Sequence, residues 1–179
     1  MESNSSSAPI KSGLILGLIG IIIMMLVYVI DISLLTNLFF GLSMMVVSVV
    51  LLVIFGKKYR DNELEGYLEF GPAFKFVFIA SLVSMILSGV FQILLYTVID
   101  PELPEILIEG TLQNTEELLE SFGTPAEDID KALEETEKSM EGQFTVKGIL
   151  SGSYIWLILS VVYALIAGAI IKKSRPEFE

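Results

Sequence analysis

Four long stretches of this chain carry almost no charge, and the residues that punctuate them predict membrane-crossing helices. The first runs from Ser12 to Ile30 and is dominated by Leu, Ile, Gly and Met. A helix rises about 1.5 Å per residue and a hydrocarbon core is about 30 Å thick, so a run of this length can span it. Asp31, Ser33, Thr36 and Asn37 then interrupt the apolar pattern, and Thr36 or Asn37 is placed to cap a second helix, which makes the first two a tight hairpin. The second helix is expected to end at Phe55, because Gly56-Lys57-Lys58-Tyr59-Arg60 follows: a helix-stopping glycine, then positive charges of the kind retained in the cytoplasm. Residues 61–71 mix acids with aromatics, as segments at headgroup level do. Pro72 suits the first turn of a third helix that continues through Ile99, and the fourth is expected from Ile149 to Ile171 before Lys172, Lys173 and Arg175.

Between the third and fourth stretches the pattern changes. Residues 100–146 contain 14 acidic residues against only Lys131 and Lys138. Asn114 is expected to cap a short helix ending at Phe122-Gly123, and Thr124-Pro125-Ala126-Glu127 has the form of a capping box with proline at the first helical position. Ile129, Leu133, Thr136 and Met140 recur at helical spacing and are expected to pack on Leu118, Leu119 and Phe122. The region therefore predicts a helical hairpin outside the membrane.

Charge sets the orientation. Lys and Arg near the helix ends alternate between rich and poor segments, with Lys11, then Lys57, Lys58, Arg60 and Lys75, then Lys172, Lys173 and Arg175 on one side. That alternation predicts four crossings with both termini in the cytoplasm. Residues 1–9 are Ser-rich and read with Lys11 as a flexible tail. The apolar run after Lys11 imitates a signal peptide, but it is too long and VYVID offers no small-x-small cleavage site, so an uncleaved helix is expected. The sequence thus predicts an all-α, four-helix integral membrane bundle with an extracytoplasmic acidic helical hairpin between helices three and four. Its parts are a tail at 1–11, three membrane helices in 12–99, the acidic loop at 100–146, and the last helix with its cytoplasmic tail at 147–179.

Composition agrees and narrows the chemistry. The chain has 179 residues, 53% of them hydrophobic, and a mean hydropathy of +0.71, well above an ordinary soluble domain. With no Cys and no His, it has no thiol nucleophile, disulfide, His general base or His-bound zinc or haem. The net charge of −11 argues against a nucleic-acid partner. No metal or cofactor is expected, since the loop acids lack the glycine and alternating ligands of a twelve-residue calcium loop.

Five positions remain as candidate polar sites. Asp31 and Asp100 fall near the outer membrane boundary with Tyr28, Gln92 and Tyr96 at depths beneath them. A carboxylate pair there could hold a proton or a cation, whereas an Asp at a helix end beside proline is an ordinary stop signal and is simply hydrated. Lys75 lies one turn into the third helix, where it either snorkels toward the headgroups near Glu65 and Glu69 or makes a specific ion pair or anionic-lipid contact. Small residues also recur along helix faces: Gly13, Gly17 and Gly20; Ala80, Ser84 and Ser88; Gly148 and Gly152; Ala164 and Gly168. Such faces allow close helix packing, either inside the bundle or at a homo-oligomer seam.

Four places in the chain resemble a known family: Lys57-Lys58-Tyr59-Arg60-Asp61; Phe70-Gly71 with Ala73-Phe74-Lys75; Tyr96 with Ile99-Asp100-Pro101; and Lys172-Lys173 with Pro176 to Phe178. They are similar to the bacterial membrane proteins of domain-of-unknown-function family 4199, typical of Bacteroidota. The resemblance implies the inner membrane of a Gram-negative cell and implies no activity. The leading expectation is a non-enzymatic envelope subunit that binds or assembles a protein partner through residues 102–146. The alternative is a small transporter, channel component or lipid-handling protein acting as an oligomer.

Overall fold

A computed structural model of the chain describes residues 7–176. Six α-helices follow one another: α1 (Ser7–Ile30), α2 (Leu38–Glu63), α3 (Phe70–Leu94), α4 (Leu103–Ser121), α5 (Ala126–Met140) and α6 (Val146–Ile171). A 3₁₀ turn (Ile32–Leu35) joins α1 to α2, and a π-helical segment (Leu95–Ile99) extends α3. Among the described residues there is no strand, only one isolated antiparallel bridge between Leu68 and Lys173. Four segments, Ser7–Ile30, Leu38–Glu63, Phe70–Ile99 and Val146–Ile171, are long and apolar enough to cross a membrane.

Two compact units divide these elements: residues 7–22, 43–88 and 153–176 form the first, and 23–42 with 89–152 the second. In the first unit α3 is the hub. Ala73, Phe76, Val77 and Ala80 of α3 are buried together with Leu16, Leu52, Ala164, Ala167 and Ile171. Small residues let the backbones meet: a side chain on Gly13 would collide with Ala80 and Val83, and one on Gly168 would come within 3.2 Å of the Phe74 nitrogen. The Tyr59 ring of α2 stacks on Phe76 at 4.9 Å. Gly20 and Gly152, by contrast, have nothing within 4 Å of where a side chain would begin, so these two members of the small-residue series make no close helix contact.

Several boundaries differ from the sequence expectation for identifiable reasons. Residues 7–11, expected as tail, are the first turns of α1, and Ala8 and Pro9 are buried there; residues 1–6 lie outside the described segment. Gly56 does not stop α2. It lies inside the helix with its open face filled by the Ile171 side chain, and α2 continues through the charged residues to Glu63. The continuation carries Arg60 to the end of α6, where its guanidinium donates to the Ile171 carbonyl at 2.8 Å and pairs with Asp61 at 2.7 Å. That carbonyl is one of the last four of its helix, which have no partner within the helix itself. Glu65 and Gly66 then turn the chain with φ of 57° and 83°, and the Gly66 amide bonds back to the Arg60 carbonyl.

The segment after α6 folds onto this turn. Leu68 and Lys173 exchange both backbone hydrogen bonds, Ser174 donates to Glu69 at 3.1 Å, and Arg175 pairs with Glu65 at 2.9 Å. The resemblance residues at Glu177 and Phe178 lie outside the described segment.

Candidate functional site

In the second unit, chain interruptions that looked like loops in the sequence turn out to be hydrogen-bonded joints. After the Asp31 N-cap, whose Oδ1 accepts from the Ser33 amide at 3.0 Å and its hydroxyl at 2.6 Å, the 3₁₀ turn leads to Asn37. Asn37 Oδ1 accepts from the Phe40 amide at 3.0 Å and so caps α2, as one of the two expected residues. Asp31 itself stays exposed, and its carboxylate is engaged within its own turn.

Asp100 has a different environment. The π-helical segment ends with the Asp100 amide bonded to the Leu95 carbonyl, which turns the chain so that the carboxylate faces both ways. Its Oδ1 accepts from the amides of Glu102 and Leu103 at 3.2 and 3.1 Å, covering free donors at the start of α4, while Oδ2 accepts from the Tyr28 hydroxyl at 2.8 Å. One side chain therefore fastens the end of the third apolar segment to the start of α4 and to α1. The structure joins Tyr28 to Asp100, whereas the Asp31 carboxylate is bound to Ser33 of its own turn. Among the described residues, no group of three or more acidic side chains is arranged to hold a metal ion.

Tyr96 and Gln92 differ in environment. Tyr96 is buried with Leu95, Leu103 and Leu107, and its ring meets Phe144 edge-on at 5.2 Å. Gln92 is half-buried and makes no hydrogen bond among the described residues. Lys75 is exposed on α3, and the two carboxylates expected near it, Glu65 and Glu69, are bound instead by Arg175 and Ser174.

Helix α4 begins eleven residues before the expected cap at Asn114. Pro104 in its first turn and the i, i+4 pair Leu103 and Leu107, both buried, were the available signals for that start. Asn114 is consequently an interior residue: its Nδ2 donates to the Thr36 hydroxyl at 2.9 Å and to the Gly110 carbonyl at 2.7 Å, beside the point where Gly110 lies against the Thr36 side chain. Gly123, at φ 72°, closes α4 with the amides of Gly123 and Thr124 bonded to the carbonyls of Glu120 and Leu119. The expected capping box does not form. Pro125 is the N-cap of α5 and no side chain caps it. Helices α4 and α5 do pack together, and Ile129 and Met140 are buried, but Phe122 is 77% exposed and Leu118 is 38% exposed. At the start of α4 Leu103 and Leu107 are buried, and near its C-terminal end Leu119 is half-buried.

The same unit contains an open groove of about 550 Å³, lined by Tyr96, Pro104, Ile108, Met140, Phe144 and Val146, with Lys147 at its edge. Neither Asp31 nor Asp100 lines it.

These features define an all-α membrane protein with four helices able to cross a bilayer. The chain belongs to a family described as proteins of unknown function, DUF4199, whose sequence profile matches residues 11–173. No curated protein and no solved structure matches the chain.

Proposed function

We propose that the chain crosses the bacterial inner membrane four times, with residues 57–60 and 172–175 in the cytoplasm and residues 100–146 outside. In this reading it is a non-enzymatic envelope subunit that binds a protein partner through the C-terminal half of α4 and the start of α5. The observation that carries the proposal is Phe122. A large aromatic side chain left 77% exposed at the end of a helix, next to a partly exposed Leu118 and flanked by Glu117, Glu120, Glu127 and Asp128, has the composition of an anchor within a charged rim. The partner that fits is a protein with an apolar pocket edged by Lys or Arg, with the acids governing encounter and orientation more than affinity. The alternative, a small transporter or channel component, requires polar groups converging on water within the membrane. The two carboxylates best placed for that, Asp31 and Asp100, are taken up at helix ends, which supports the first reading.

Orientation can be tested without removing any native cysteine, because the sequence has none. In spheroplasts, a membrane-impermeant maleimide should label Glu135→Cys directly and Lys58→Cys only after the membrane is opened. The reverse pattern overturns the topology. The partner site is tested by comparing proteins that co-purify with the tagged full chain and with Leu118→Ser/Phe122→Ser in mild detergent. A stoichiometric subunit should be lost from the variant, by tenfold or more for an anchor of about 2 kcal/mol. Its retention would move attention away from α4. Point substitutions are preferred to excision of residues 104–144, since that excision removes Leu107 from the second unit's core.

A further inference from the structure

We propose that the groove bordered by the π-helical segment, α4 and the start of α6 binds one acyl chain of an anionic phospholipid, with the headgroup phosphate held at Lys147. Three observations converge on this occupant. The groove wall is apolar, made by Tyr96, Pro104, Ile108, Met140, Phe144 and Val146. Of its three hydroxyl-bearing residues, both threonines are already occupied: Thr97 donates to the Ile93 carbonyl at 2.6 Å, and Thr145 donates to the Gly142 carbonyl at 2.6 Å while accepting from the Gly148 amide at 3.1 Å; the third, Tyr96, is buried with Leu95, Leu103 and Leu107. Water in the groove would find few partners there, whereas hydrocarbon needs none. The volume of about 550 Å³ lies within the range of small-ligand sites.

Position identifies the source of the chain. Tyr96 and Thr97 fall in the last turn of one segment able to span a membrane, and Val146 and Lys147 are the first residues of another. A groove built at the ends of two such helices opens at the level where lipid chains meet their headgroups. This step rests on the proposal that those helices cross the bilayer.

Charge then selects the headgroup. Residues 23–42 and 89–152 contain three cations, and two of them are already paired within α5: Lys131 with Glu127 at 2.8 Å and Lys138 with Glu134 at 2.6 Å. Lys147 is exposed and pairs with no carboxylate among the described residues, despite the 14 acids in residues 100–146. Against that excess of carboxylates, Lys147 is the cation of this unit left without a carboxylate partner among the described residues. An ammonium group at the groove edge gives an anionic head one favourable place, next to the place where its chain can be buried.

The test uses the full chain, purified in a neutral detergent and incubated with phosphatidylglycerol or phosphatidylcholine of identical acyl chains, with retained lipid counted by native mass spectrometry. The wild type should retain one phosphatidylglycerol in preference to phosphatidylcholine by about fivefold, the factor expected for one basic residue near an anionic headgroup. Lys147→Gln should retain both lipids equally. Ile108→Trp, which fills the groove, should reduce retention of both. If Ile108→Trp lowers the thermal midpoint, Val146→Trp serves instead, from the half-exposed opposite wall. Equal retention of the two lipids by the wild type overturns the proposal, as does an undiminished preference in Lys147→Gln or undiminished retention in the groove-filling variant. Because the assay is done in micelles, it does not depend on which side residues 100–146 face. Failure here leaves the topology and partner proposals standing, and the labelling result bears only on them.

Discussion

Gly13→Leu should lower the thermal midpoint of the detergent-solubilised protein by about 6–12 °C, Gly17→Leu by less, and Gly20→Leu by no more than about 2 °C. The three glycines lie on one helix at spacings of four and three, so propensity alone predicts the same effect at each, and a small stabilisation, since leucine is the better helix former. Contact predicts an order. A Cβ on Gly13 would sit 2.5 Å from the Ala80 carbonyl oxygen and 2.7 Å from Val83 Cβ, atoms fixed to the backbone of α3, so α1 and α3 must separate to admit it. At Gly17 the nearest atom is Leu87 Cδ2 at 3.0 Å, the mobile end of a side chain, with the Ser84 Cα at 3.3 Å. At Gly20 there is nothing within 4 Å. Overpacking a well-packed contact costs about 3 kcal/mol at the upper end, and a chain of this size loses about 2–4 °C per kcal/mol. Equal shifts at all three positions would mean that α1 does not pack on α3 through this face.

Asp100→Ala should lower the midpoint by about 4 °C or more, and Asp31→Ala by about half as much or less. Both residues cap, but they cap different things. Asp31 closes a four-residue turn through Ser33, in an exposed position where water replaces the lost acceptor. Asp100 covers two amides at the start of α4, and losing an N-cap costs about 1–2 kcal/mol. It is also the acceptor for the half-buried Tyr28 hydroxyl. Asp100→Asn keeps an oxygen acceptor and should recover part of the loss. Tyr28→Phe combined with Asp100→Ala should cost less than the sum of the two single changes, because the pair shares one hydrogen bond. An additive result, or Asp31→Ala as costly as Asp100→Ala, would show that the Tyr28–Asp100 bond does not hold the joint.

Both predictions concern residues visible in the sequence as candidates, yet neither effect could be ranked from sequence. Gly13, Gly17 and Gly20 form a single small-residue series by spacing, and only the path of α3 distinguishes two covered positions from one that faces outward. Asp31 and Asp100 read as a pair because both fall near the outer membrane boundary at the end of an apolar run. The hydrogen bonds that separate them depend on the π-helical segment, whose extra residue per turn re-aims Tyr96 and Asp100 in a way no local residue pattern signals.

What the sequence determined alone is the set of four apolar helices. A chain in hydrocarbon has to satisfy its backbone within each segment, so length and lack of charge suffice to locate a helix able to span, whatever its neighbours do. Where polar residues returned, neighbours decided. Helix α2 continues past Gly56 because Ile171 fills the space above the glycine and the end of α6 offers Arg60 a carbonyl; in isolation, the same glycine and lysines resemble a stop. Helix α4 begins at Leu103, and not at Asn114, because Leu103 and Leu107 are buried beside Leu95 and Tyr96. Asn114 then spends its amide on Thr36, 78 residues away. Local propensity in such segments is worth tenths of a kcal/mol per residue, whereas burying a leucine is worth about 1.5–3 kcal/mol, so the elements outside the apolar spans take the boundaries that tertiary contact gives them.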